Sequence, residues 1–119
     1  MALINQKKAM EIWEFWLGNK TEDKDFAGRR IVKSAYNVRN SVCGWNIDHL
    51  IPITKGGKTT YGNCYPINIK TNEIKADQTT WTDNNTRWQV QKIEPTEYEN
   101  SDGSTSLVKT YNYIPIDQD

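Results

Sequence analysis

Ala9, Ile12, Trp13, Trp16 and Leu17 recur at three- and four-residue spacing within NQKKAMEIWEFWL, the period that gathers apolar side chains on one face of a helix. The predicted helix covers residues 5–17, with Asn5 able to cap its start and Gly18 with Asn19 able to end it. Aromatics at helical spacing usually pack inward, so this element is read as scaffold and not as a base-stacking platform. After the polar link TEDKD, the segment FAGRRIVKSAY turns at Ala27 and Gly28, and Ile31, Val32 and Tyr36 suggest a strand. A second strand is predicted from Val42 to His49 because NVRNS before it reads as a turn, and the two strands make a short hairpin.

Pro52 stops regular pairing, and TKGGKTTYG is a loop whose paired glycines can take positive φ. INIKTNEIKAD reads as a helix with Pro66 at or before its first turn. Beyond Trp81, TRWQVQKIE and SLVKTYNYIPI have the β-branched and aromatic content of strands, and ENSDGST between them signals a turn at Asp102 and Gly103. The expected class is α+β in one domain. It comprises an N-terminal amphipathic helix and link (1–24), a core (25–80) and a C-terminal β-hairpin extension (81–119).

The 119 residues suffice for one modest core, to which five Trp and six Tyr contribute. Neither a long apolar run nor a secretory leader is visible, so a cytoplasmic protein without a membrane partner is expected. Cys43 and Cys64 are too few for a disulfide framework and form no CxxC pair, so both are expected as free thiols. Net charge is zero, but unevenly placed. Residues 29–75 carry eight basic and two acidic residues, a net of +6, whereas residues 81–119 net −4. The basic middle suits a phosphate backbone.

The chain's only histidine, His49, lies in that middle, directly after Asp48, with Asn63 and Asn72 following. Phosphodiester hydrolysis needs a base for water and a Lewis acid for the leaving alkoxide. A histidine titrating near about 6.5 suits the first role. Hard oxygen ligands suit Mg²⁺ or Mn²⁺ in the second. Neighbours on a strand point apart, so Asp48 is expected to hold metal while His49 addresses water. Asn72 offers a carbonyl oxygen as a second ligand, with Asn68 as its rival. Asn63 is placed to pin loop backbone or to orient the imidazole. Lys75, three residues after Asn72, is expected to touch substrate phosphate, and Arg29, Arg30, Lys55 and Lys58 are further candidate nucleic-acid contacts.

The combination IDHLIPITKGG, Asn63 and NEIK from Asn72 resembles the HNH endonucleases, in an H-N-N variant similar to small phage-type members. The resemblance covers roughly residues 25–77 and implies a ββα-metal core. It implies that His49 is the general base, that Asp48 and Asn72 bind one divalent metal, and that Asn63 supports His49. Family members that brace the helix with zinc use CxxC pairs; here Asn68 and Thr71 stand at the downstream positions, so no structural zinc is expected. The expected activity is metal-dependent nicking or cutting of DNA. A reading from a different class is a protein-binding module or inhibitor built on the same fold and acting through the acidic C-terminal hairpin, which could also mediate a homodimer.

Overall fold

The computed structural model describes residues 4–116. Helix α1 (Gln6–Leu17) begins where Asn5 Oδ1 accepts from the Lys8 N–H at 2.8 Å, and ends where Gly18, at φ +61°, donates its N–H to Glu14 O. This is the helix that the apolar spacing predicts, and Ala9, Ile12 and Trp13 are buried along it.

The expected hairpin between the Ile31–Tyr36 region and Val42–His49 is not the one observed. Strand β2 (Arg30–Val32) pairs with β1 (Glu22–Lys24), inside the segment read as a polar link. Strand β3 (Trp45–His49) pairs instead with β4 (Cys64–Asn68), across a fourteen-residue connection, in the register Trp45↔Asn68 to His49↔Cys64. Pro66 lies inside β4, opposite Ile47. A two-stranded sheet tolerates it, because a strand with one partner has an edge that needs no N–H donor. Asn68 marks the boundary between strand and helix. Its Oδ1 accepts from the Lys70 N–H, capping helix α2 (Ile69–Lys75), while its Nδ2 donates to the carbonyls of Arg30 and Val42. The expected helix therefore starts later than the INIK pattern suggests.

Strands β5 (Thr80–Asp83), β6 (Thr86–Glu99) and β7 (Thr105–Ile116) form an antiparallel sheet in that order. The β6–β7 hairpin turns where expected, with Gly103 at φ +85°. Strand β5 was not anticipated; it joins β6 through Asn84 and Asn85, both at positive φ, as a two-residue hairpin turn requires.

Alternate residues of a strand face opposite ways, and β3 uses both faces. Trp45 and Ile47, with Cys64 of β4, pack against Ala9, Ile12 and Trp13 of α1 and Ile31 of β2. On the other side, Ile67 and Leu50 pack against Trp81, Val90 and Tyr113 of the C-terminal sheet. The segment read as an extension thus supplies most of the second core. It also abuts the β3–β4 connection, where a Cβ on Gly62 would overlap the Lys109 carbonyl of β7. Among the described residues, no helix is long and apolar enough to cross a membrane.

Candidate functional site

Asp48 and His49 end β3 and point to opposite sides, as their adjacency predicts. His49 is half-buried, and its Nε2 lies 2.9 Å from Thr59 Oγ1 in the β3–β4 connection. Burial pushes the imidazole pKa below its ordinary value; Asp48 opposes that shift and the Lys75 ammonium adds to it. Cys64, opposite His49 in the sheet, is buried, and its thiol is pushed up to about 12, so it stays protonated and unreactive.

Among the described residues, no hydrogen bond joins Asn63 to His49. Buried, at 2% exposure, Asn63 takes the Ile51 N–H on Oδ1 at 2.8 Å and donates Nδ2 to the carbonyls of Ile51 (3.1 Å) and Lys58 (2.9 Å). Of the two roles considered for it, this geometry is the pinning of loop backbone. Gly57 belongs to the same clasp, since a Cβ there would overlap the Ile51 carbonyl. The outcome is a folded-back loop that presents Thr59 to the imidazole, and Asn63 is linked to His49 through that loop. In Asn63→Ala three backbone groups lose a buried partner, and a loss of about 1–3 kcal/mol is expected. Urea unfolding would measure it, and a change under about 0.5 kcal/mol would contradict the pinning role.

Asp48 is 4% exposed and doubly held. Its Oδ1 accepts from Lys75 Nζ at 3.1 Å and its Oδ2 from the Tyr113 hydroxyl at 2.8 Å. Burial raises the Asp48 carboxyl above its usual range, against the opposing pull of Lys75 and Tyr113. The Tyr113 hydroxyl is itself pushed well upward by burial and by Asp48, so it remains a donor. Lys75 corrects an expectation. Read as a phosphate contact, it is 0% exposed, with Nζ also 3.4 Å from His49 O and 5.5 Å from the centre of the Trp81 ring. The helix face that carries Asn72 and Lys75 packs inward onto β3 and β5, which takes the ammonium away from solvent.

Asn72 reaches the same side of β3 as Asp48. Its Nδ2 donates to Asn46 Oδ1 at 2.7 Å and lies 3.5 Å from Ile47 O, and among the described residues no donor meets its own Oδ1. Asn68, by contrast, spends its side chain on the helix cap and two carbonyls. Each Asp48 oxygen takes one donor and keeps further lone-pair capacity. The face therefore offers a carboxylate and a free carboxamide oxygen, a hard donor set that fits Mg²⁺ or Mn²⁺ chemically.

The candidate phosphate contacts divide. Lys58 is exposed on the loop that carries Thr59, and Lys55 is exposed nearby with Nζ on Asp77 O at 2.9 Å. Arg29 is committed elsewhere. It grips Asp83 through both terminal nitrogens, Nη2 to Oδ1 at 2.9 Å, and donates to Thr71 Oγ1 at 3.0 Å, tying the β1–β2 turn to α2 and β5. Arg30 is exposed and paired with Glu22. Tyr113, Thr59 and Asn46 were missed from sequence. Only Tyr113 carried a signal there, as an aromatic at an alternating position in TYNYIPI.

Comparison with protein-family models, curated proteins and solved structures finds no match to this chain.

Proposed function

We propose that the chain is a metal-dependent endonuclease of the HNH type, hydrolysing phosphodiester bonds in DNA with His49 as general base. The observation that carries this reading is the setting of His49. A half-buried imidazole at a strand end, its neutral form favoured by burial and one nitrogen held by Thr59, is prepared to accept a proton at the other. The succession β3, clasped loop, β4 and α2, with Asp48 and Asn72 on one face, is consistent with a ββα-metal core.

In this role Nε2–H donates to Thr59 Oγ1, which leaves the Nδ1 lone pair to take the proton of the attacking water. Asn63 keeps the loop in place, and an ångström of drift in a base can lose on the order of a hundredfold in rate. Lys58 and Lys55 face solvent beside that loop and would draw in the phosphate backbone. A Mg²⁺ or Mn²⁺ ion held by Asp48 and Asn72 would supply Lewis-acid stabilisation of the departing alkoxide. Lys75 and Tyr113 orient the Asp48 carboxylate from behind.

The test is a panel of supercoiled plasmid, single-stranded DNA and RNA, each with Mg²⁺, Mn²⁺ or chelator. Nicking of plasmid with either metal and none with chelator is expected. Intact plasmid under all conditions would sink the reading. The pH dependence follows from the direction of the His49 shift. Protonation removes the base, so the rate should rise with pH through one ionisation centred below the ordinary 6.5 and then level off. A midpoint at or above that value would contradict the burial effect. Over the same window His49 binds fewer protons in the folded state than in the unfolded chain, so its own contribution to stability rises with pH there.

A further inference from the structure

A divalent ion such as Mg²⁺ gives up its water reluctantly and is usually held by one or two carboxylates together with substrate phosphates. Among the described residues, Asp48 is the one carboxylate at the candidate donor face, and Lys75 places a fully buried ammonium 3.1 Å from it. The remaining groups are the carboxamides of Asn46 and Asn72 from β3 and α2, the Tyr113 hydroxyl from β7 and the Trp81 ring from β5, all neutral. Lys75 cannot be treated as a rim side chain that swings into water. Its ammonium is held by Asp48 and the His49 carbonyl and lies over Trp81, and its stem is enclosed by the β3–α2–β5 packing. Asn72 and Lys75 are three residues apart on one helix, so a candidate ligand and a neutralising cation reach the face together.

We propose that Lys75 is the standing counter-cation of Asp48, so that a divalent ion is held at this face only jointly with a nucleic-acid phosphate, and metal and nucleic acid bind with positive coupling. The inference rests on the endonuclease reading for the identity of the anionic co-ligand. Phosphate oxygens bring the negative charge that Lys75 cancels on the protein side. Linkage makes the effect reciprocal: nucleic acid tightens metal by the same factor by which metal tightens nucleic acid.

The experiment follows Mn²⁺ binding by the loss of its free-ion EPR signal, using the full chain carrying His49→Ala to prevent turnover. A short DNA duplex is expected to tighten Mn²⁺ by about tenfold to a hundredfold, with the same factor recovered when Mn²⁺ is added to a duplex titration. Adding Lys75→Met should tighten Mn²⁺ in the absence of duplex by a comparable factor and shrink the coupling. Equal Mn²⁺ affinity with and without duplex overturns the proposal, as does coupling that survives Asp48→Asn or a Lys75→Met chain that binds Mn²⁺ no better. Should Lys75→Met fail to fold, Lys75→Gln, which keeps a donor toward Asp48 without the charge, takes its place with the same two outcomes. Coupled binding by an intact chain that leaves plasmid uncut would remove the endonuclease reading and keep the counter-cation.

Discussion

Replacing His49 with alanine is expected to lower DNA cleavage by about a hundredfold to ten-thousandfold, the usual contribution of a positioned general base, with little change in the fold. Both halves of that expectation come from where the residue sits. His49 is the last residue of β3 and half-buried, and among the described residues its ring makes one side-chain hydrogen bond, to Thr59 on a loop that Asn63 fixes independently. Neither packed cluster includes it. Its removal therefore leaves the cores and the Asp48–Lys75–Tyr113 contacts in place, and the stability change should stay within the range of an ordinary surface substitution, about 0.5 kcal/mol either way. Plasmid nicking and a thermal melt on the same preparation separate the two effects. Retained nicking with an unchanged melt would take the base role from His49, whereas a collapsed melt would show the residue to be structural.

The elements legible in the sequence were those whose information is local. Helix α1 follows from apolar period and two caps, and the β6–β7 turn follows from Asp102 and Gly103, so both stand where the pattern puts them. The division of Asp48 from His49 follows from strand alternation alone. What was not legible depends on partners far along the chain. Pairing of β3 with β4 is decided by which strand can bury Trp45 and Ile47 against α1 while giving Ile67 to the opposite core, and no local signal in CYPIN announces it. The same holds for charge. Arg29 and Lys75 look like free cations in a basic segment until Asp83 and Asp48 are brought to them across long loops. Composition gave the +6 segment correctly, but it could not say how many of those charges the fold had already neutralised.

Truncation after residue 80 is expected to unfold the chain rather than release a working core. Sequence alone placed residues 81–119 as an extension, yet Trp81, Val90 and Tyr113 form much of the second core, and Leu50 and Ile67, which flank the candidate site, have their apolar contacts there. Full burial of each large apolar side chain contributes about 1.5–3 kcal/mol, so losing several of them removes an amount comparable to the whole stability of a typical domain, about 5–15 kcal/mol. The polar losses add to this. Without β7 the buried Asp48 loses the Tyr113 hydroxyl, without β5 the Arg29 guanidinium loses Asp83, and the Tyr61–Asn63 turn loses the backbone against which Gly62 is packed. Residues 1–80 should therefore give poorly dispersed amide proton resonances, no cooperative thermal transition and no nicking. The substitution Tyr113→Phe, which keeps the ring in the core and removes only the bond to Asp48, should fold with a loss of about 1–3 kcal/mol. A cooperative melt and metal-dependent nicking by residues 1–80 would show that the C-terminal sheet is dispensable, and that the second core is held mainly by β3, β4 and α2.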